Sequence, residues 1–550
     1  MVTVLSECSR SIGLLVVLVG LLVLPAAVQA QEADEVAPPP TKATRTPPPI
    51  HHVKTVYAKD NAPAAPKLED LPLKESVSQY GITWTFDQPA RVGQFINGDW
   101  YVVGPATVKM IDPKPLWGDE VKDLVEKSSV KESRYPGKQC RNGSSLNPTA
   151  EGIKAGFDSR MASDRYDPQR VSHLPIAMKP GDALVSTISR PSSALKSFSG
   201  QHVDPLQVAA VLCSVAEPLP ADAFRPSYCD SKNSKIYLAR NFRRDLLARL
   251  PKLPDMPESP DAYAAKFQKV WLDIAQWGFA APIDNLPHYG QQVAQLVSEA
   301  SLLLLADYPA EQKETLLVNF TQAGIDFWGL VRAGHSWPAH GGLNSGRKWP
   351  ILFAGILLDD ADMRSPNKKY PKVRFHEDDQ TAFGPVTVLG KTYEKSWSGS
   401  KVIFLGHSPY LFEEKGHFDR GWGLVDTLHP KDWGSPGKLT SSEGYRRANT
   451  SACWVGQALA ARIMHAEKHW GHDAFFAYVD RWMTEDDTAL NDALKEAGRA
   501  DYNAKKPGEF GRQGYVHGPA WVKGMWLKYR NQLPPAADGS KTPPAETTWK

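Results

Sequence analysis

Cysteine is scarce in this chain: five residues in 550, one of which, Cys8, precedes an apolar run near the start. The remaining four, Cys140, Cys213, Cys229 and Cys453, lack the short paired spacing of a zinc site, so no structural metal is expected. Charge of one sign is also lacking. Lys and Arg number 64 against 61 Asp and Glu, for a net charge of +3. That balance argues against a nucleic-acid partner, which calls for a strongly basic face. Long hydrophobic runs are missing too. The apolar run 12–24 has 13 residues, whereas a bilayer core needs roughly 20 helical residues. There is no Gly-x-Ser-x-Gly elbow, phosphate-binding glycine loop, zinc-protease HExxH or dinucleotide fingerprint, which disfavours the common esterase, nucleotide-binding and protease readings.

Arg10 in a short polar start, the run 12–24 and the small residues of Val28-Gln29-Ala30 together read as a secretory signal over 1–30. The expectation is an exported protein, periplasmic or extracellular, with no membrane span after signal removal. In an oxidising compartment four cysteines allow three connectivities, and Cys213–Cys229, nearest in sequence, is the preferred pair. Residues 31–75 are rich in Pro and Ala and poor in large aliphatics, which predicts a disordered linker; 533–550 reads as a similar tail.

Between them, two regions differ in period. In 76–240, Ile82-Thr83-Trp84-Thr85-Phe86 alternates β-branched and aromatic residues, and Asn97-Gly98-Asp99 marks a hairpin turn before Trp100. With further short strands at 107–111 and 184–189, this predicts a small β-sandwich-like domain. From 241 to 532 the apolar spacing turns helical, over 261–277, 289–306, 310–330, 349–358, 450–467, 473–483 and 488–497. A stretch of poor periodicity at about 363–433 reads as an insertion carrying short hairpins near 386–389 and 402–405.

Chemistry-bearing residues interrupt the helical pattern in three places. Asn285, His288 and Tyr289 precede one helix: an Asn amide can hydrogen-bond a carboxylate, and His or Tyr can move a proton. The glycine-rich run from His335 to Trp349 adds Trp337, His340, Asn344, Arg347, Lys348 and Trp349, a set able to grip a carboxylate and to face a sugar ring. Tyr445 and Arg446 form the third cluster. His335 and His340 lie five apart, off the one-face i,i+4 spacing of a metal pair, so neither metal nor cofactor is expected. Each cluster also has a plain structural account, as helix entry, basic turn or core aromatic. Thirteen Trp between Trp271 and Trp526 suit either a core or a sugar platform.

With these residues, 241–532 resembles the secreted bacterial polysaccharide lyases built on an (α/α) toroid. The resemblance rests on Asn285-x-x-His288-Tyr289, the segment around His340 and Arg347, and Tyr445-Arg446; the β domain, however, precedes the helices, whereas many such lyases carry it after them. It implies a mainly α fold, a toroid-like catalytic domain preceded by a small β-sandwich-like domain. It further implies β-elimination on an acidic, uronate-containing polysaccharide or oligosaccharide. Asn285 or Arg347 would neutralise the uronate carboxylate, and His288 or His340 with Tyr289 or Tyr445 would serve as base and acid. Trp337, Asn344, Lys348, Trp349 and Arg446 would bind substrate. Two alternatives stand beside it: an inverting glycoside hydrolase using Asp360 or Glu443, and a glycan-binding protein without catalysis.

Overall fold

A computed structural model describes residues 50–121, 135–149, 155–161, 166–192, 195, 205–273, 282, 284, 290–339, 341–388, 390–406, 425–432, 446, 450–498 and 518–535. The signal-sequence expectation and most of the tail lie outside them.

The architecture corrects the expected fold class. Helix makes up 37% and strand 20%, and the N-terminal part holds a large curled mixed sheet, so the protein is not mainly α. The strands are β1 (Leu73–Gln79), β2 (Ile82–Gln94), β3 (Trp100–Val103), β4 (Ala106–Asp112), β5 (Leu116–Trp117), β6 (Cys140–Arg141), β7 (Ser144–Leu146), β8 (Ile176–Met178), β9 (Ala183–Ser189) and β10 (Leu206–Val215). Eight form one sheet in the order β7-β9-β10-β3-β2-β4-β8, with β1 also paired to β2. Only β10 and β3 run parallel among these pairs. The hairpin turn is where the sequence puts it: Gly98 has φ +86°, and Phe95 N–H donates to Asp99 O at 2.9 Å.

Thirteen-residue β2 pairs with β1 along most of its length, with β4 along its first half and with β3 at its end, so the sheet curls around Trp84, Phe86, Val102, Val108 and Leu212. Inside the curl, Trp84 Nε1 donates to Ser186 Oγ at 2.9 Å, which satisfies the indole's polar atom. β10 reads LQVAAVLCSV and is buried along nearly its whole length. A strand covered on both faces carries no period-2 signal, which is why this central element escapes the sequence reading.

Among the described residues the helices are α1 (Asp261–Gln268), α2 (Gly290–Leu305), α3 (Ala310–Arg332), α4 (Lys348–Leu357), α5 (Pro366–Lys369), α6 (His376–Asp379), α7 (Ser451–Ile463), α8 (Glu467–Trp470), α9 (Asp473–Thr484), α10 (Thr488–Glu496) and α11 (Ala520–Tyr529). The stretch expected as an insertion carries α5, α6 and two small ladders, β11 (Thr381–Phe383) with β14 (Val402–Phe404) and β12 (Val386–Val388) with β13 (Lys391–Tyr393).

Sheet and helices share one apolar core that runs from Phe95 and Val211 through Leu303 and Phe353 to Trp454 and Trp526. Arg225 ties the two parts electrostatically. Its Nε meets Asp99 Oδ2 at 2.7 Å, beside the hairpin turn, and its Nη1 meets Asp326 Oδ1 of α3 at 3.0 Å. Two further expectations change here. Of the proposed linker, Val53 and Leu71 are buried, and the Val53 N–H donates to Thr315 Oγ1 at 3.1 Å. Cys213 and Cys229 are buried free thiols, as are Cys140 and Cys453, so the preferred disulfide is absent. No helix among the described residues is long and apolar enough to cross a membrane.

Candidate functional site

The 341–346 turn sits where three longer helices begin. A Cβ added to Gly290, the first residue of α2, would lie 1.6 Å from Leu343 O; one added to Gly346 would lie 2.5 Å from Ala294 Cα. The turn therefore packs backbone to backbone on the first turn of α2, which only glycine at both contacts allows. α4 starts two residues after the turn, at Lys348. From α7, Trp454 Nε1 reaches across to Ser345 Oγ at 2.7 Å.

The chain leaves α1 at Lys269, eight residues short of the expected end at 277, and the residues that follow enter this region. Lys269 Nζ holds Asp284 Oδ2 at 2.9 Å, and Asp284 is bonded again to Gln207 of β10 through its N–H at 3.1 Å and through its side chain. Asp273 accepts Arg347 Nε at 2.6 Å, Arg347 Nη2 at 3.2 Å and Trp337 Nε1 at 3.0 Å.

The short helix α6 is the second anchor, and each of its three acids goes to a different partner. Glu377 Oε1 accepts from Gly346 N–H at 2.6 Å, Ser345 Oγ at 3.1 Å and Gln457 Nε2 at 3.0 Å. Asp378 binds Lys348 Nζ at 2.5 Å and Trp470 Nε1 at 2.9 Å. Asp379 accepts from Ala339 N–H at 3.0 Å and pairs with Arg374 at 3.0 Å. Just beyond the helix, Gln380 Nε2 donates to Gly341 O at 3.1 Å. Burial pushes the Glu377 and Asp379 carboxyls above the usual carboxylate range and pulls the Lys348 ammonium down, the last against the opposing pull of Asp378. The Cys453 thiol, also raised well above its ordinary value by burial, is not tuned to be a nucleophile.

The structure assigns the described sequence candidates to the interior. Trp337, Asn344, Arg347, Lys348, Trp349 and Arg446 are each 3% exposed or less. Asn344 Nδ2 donates to Pro338 O at 2.6 Å, and Trp349 Nε1 to Ser301 Oγ at 2.8 Å. Lys348 lies over the rings of Phe375 and Trp470, 5.3 Å from each centroid. Arg446 donates to Tyr478 Oη at 3.0 Å and pairs with Glu485. Burial raises that Tyr478 phenol to about 12. Tyr478 in turn packs edge-on to Trp454, 5.7 Å between centroids, which links the third cluster to the turn. Asn285, His288, Tyr289, His340, Tyr445 and Glu443 lie outside the described residues. Asp360, the other hydrolase candidate, is occupied: it accepts from Lys235 Nζ at 2.6 Å, Tyr237 Oη at 2.9 Å and the N–H groups of Asp362 and Met363.

Sequence reasoning passed over Asp273, Glu377, Asp378 and Asp379. The run His376-Glu377-Asp378-Asp379 was a visible signal, three consecutive acids in a region assigned to an insertion, but nothing local tells which bases they meet. No group of His, Cys, Asp and Glu among the described residues is arranged to hold a metal ion.

No family model, curated protein or solved structure matches the chain.

Proposed function

We propose that this protein is a polysaccharide lyase acting on a uronate-containing glycan by β-elimination. One observation carries the reading: the described residues that flank two of the sequence clusters are pinned to a common frame. Asp284 and Gly290 bracket 285–289 and are fixed to Lys269 with Gln207 and to the 341–346 turn, respectively. Ala339 and Gly341 bracket His340 and are held by Asp379 and Gln380. Catalytic groups need such support, because a misplacement of about 1 Å costs on the order of a hundredfold in rate. The N-termini of α2, α4 and α7 meet the same turn, and the positive ends of helix dipoles favour an anionic ligand such as a uronate.

In this reading Arg347 is part of the frame, since its guanidinium is committed to Asp273. Carboxylate neutralisation falls to the Asn285 amide. With the carboxylate's charge offset, the proton on the sugar's C5 becomes acidic. His288 or His340 takes it, the C4–O bond breaks as the C4–C5 double bond forms, and a phenol of Tyr289 or Tyr445 returns a proton to the leaving oxygen. The test is ultraviolet absorbance of the unsaturated uronate while the purified protein acts on alginate, glucuronan, pectate and glycosaminoglycans. A rise in absorbance supports elimination. New reducing ends without that absorbance would replace it with hydrolysis.

A further inference from the structure

Glu377 is the best-placed group that the proposed chemistry leaves unused. It is 1% exposed, and all three of its hydrogen-bond donors, Gly346 N–H, Ser345 Oγ and Gln457 Nε2, converge on Oε1. Among the described residues its Oε2 is buried and unpartnered, and so is Oε1 of the adjoining Gln457. The cluster is thus short of donors, not acceptors. Of the charged groups around it, Lys348 of α4 is closed onto Asp378, and Asp378, next on α6, adds a like charge; Cys453 of α7 faces it as a neutral thiol. A bare carboxylate in such a place must share the Lys348 charge with Asp378 to offset the loss of water, whereas a proton on Oε2 supplies the missing donor.

We propose that Glu377 is a positioning residue of the candidate site, its uncharged carboxyl fixing the 341–346 turn through Ser345 and Gly346, and its ionisation releasing that turn. The direction of its acidity agrees: burial raises it above the ordinary carboxylate value. A raised folded-state pKa means stability that is fully present below the ordinary carboxylate pKa and lost as pH rises through the folded value. The consequence for catalysis rests on the lyase reading, and the consequence for stability does not. Glu377 therefore joins the turn's geometry to pH without touching substrate.

The experiment is thermal unfolding from the ordinary carboxylate range up through neutral and alkaline pH for wild type, Glu377→Gln and Gln457→Met, without substrate. The amide keeps the shape and cannot ionise, so the fall in Tm with rising pH should be shallower in Glu377→Gln, by about 2 °C or more. Gln457→Met removes a donor that favours the ionised form, and should move the wild-type fall to higher pH. Identical slopes in wild type and Glu377→Gln would overturn the proposal, as would an unmoved fall in Gln457→Met if Glu377→Gln does not fold. Where elimination is observed, kcat should follow the same pH dependence and lose it in Glu377→Gln. An active lyase with no such difference would sink this inference alone; a protein that makes no unsaturated product but shows the melting difference would sink only the lyase reading.

Discussion

Arg347 and Asp273 form a two-pronged ion pair in the interior, Nε to Oδ2 at 2.6 Å and Nη2 to Oδ1 at 3.2 Å, with both side chains at most 2% exposed. The pair joins the segment after α1 to the start of α4, 74 positions apart in sequence. Trp337 Nε1 donates to the same carboxylate, so the three groups act as one lock.

Removing one partner of that lock strands a buried charge. Arg347→Ala should cost about 3–5 kcal/mol of stability, as for other broken buried pairs. Arg347→Lys should recover only part of it, because an ammonium cannot reproduce the fork. Chemical denaturation checks both. An Arg347→Ala protein of unchanged stability that loses only substrate binding would return Arg347 to a ligand role.

Gly290→Ala places a methyl 1.6 Å from Leu343 O. Neither backbone can yield without moving α2 or the turn, so the loss should reach about 3 kcal/mol, the upper range for overpacking. If the variant melts like wild type, the close approach of α2 to the turn is incorrect.

Lys313 caps the end of α2, donating to Leu304 O at 3.0 Å and Ala306 O at 3.1 Å, and burial lowers its pKa from 10.5 to about 8. The sign follows from proton counts. Between those two values the unfolded chain holds the proton that the folded one has lost, so stability rises with pH across this window. Lys313→Met should abolish that rise, which a pH series of unfolding curves in both proteins will show.

One of His288→Ala and His340→Ala, the one that removes the base, should lower elimination by at least about a hundredfold, the usual scale for loss of a proton-transfer group, and Tyr289→Phe should do the same where Tyr289 rather than Tyr445 is the acid. Circular dichroism and melting should stay close to wild type. Activity within threefold of wild type in all three would remove them from the mechanism.

The periodic parts of the fold were legible in the sequence: α3, α7 and α9 fall within a few residues of the expected spans, and Asn97-Gly98-Asp99 turns a hairpin as those residues demand. What was missed is non-local. β10 has the composition of any buried run, and nothing in its ten residues announces that it pairs with both β9 and β3. The helical spacing of Val270 and Trp271 predicts α1 through to 277, yet Trp271 stacks on Phe267 with centroids 4.6 Å apart, and Asp273 goes to Arg347.

The same division holds for the candidate site. Residue order alone determined that ionisable and aromatic groups gather ahead of α2, in the glycine-rich run and ahead of α7, because clustering is a property of the chain itself. Tertiary structure decided which of those groups are already spent. Arg347 and Lys348 look like free cations in the sequence, and only packing shows the Asp273 and Asp378 carboxylates closed onto them. A charge buried in a protein interior must find its opposite, and the distance along the chain places no limit on where that partner comes from.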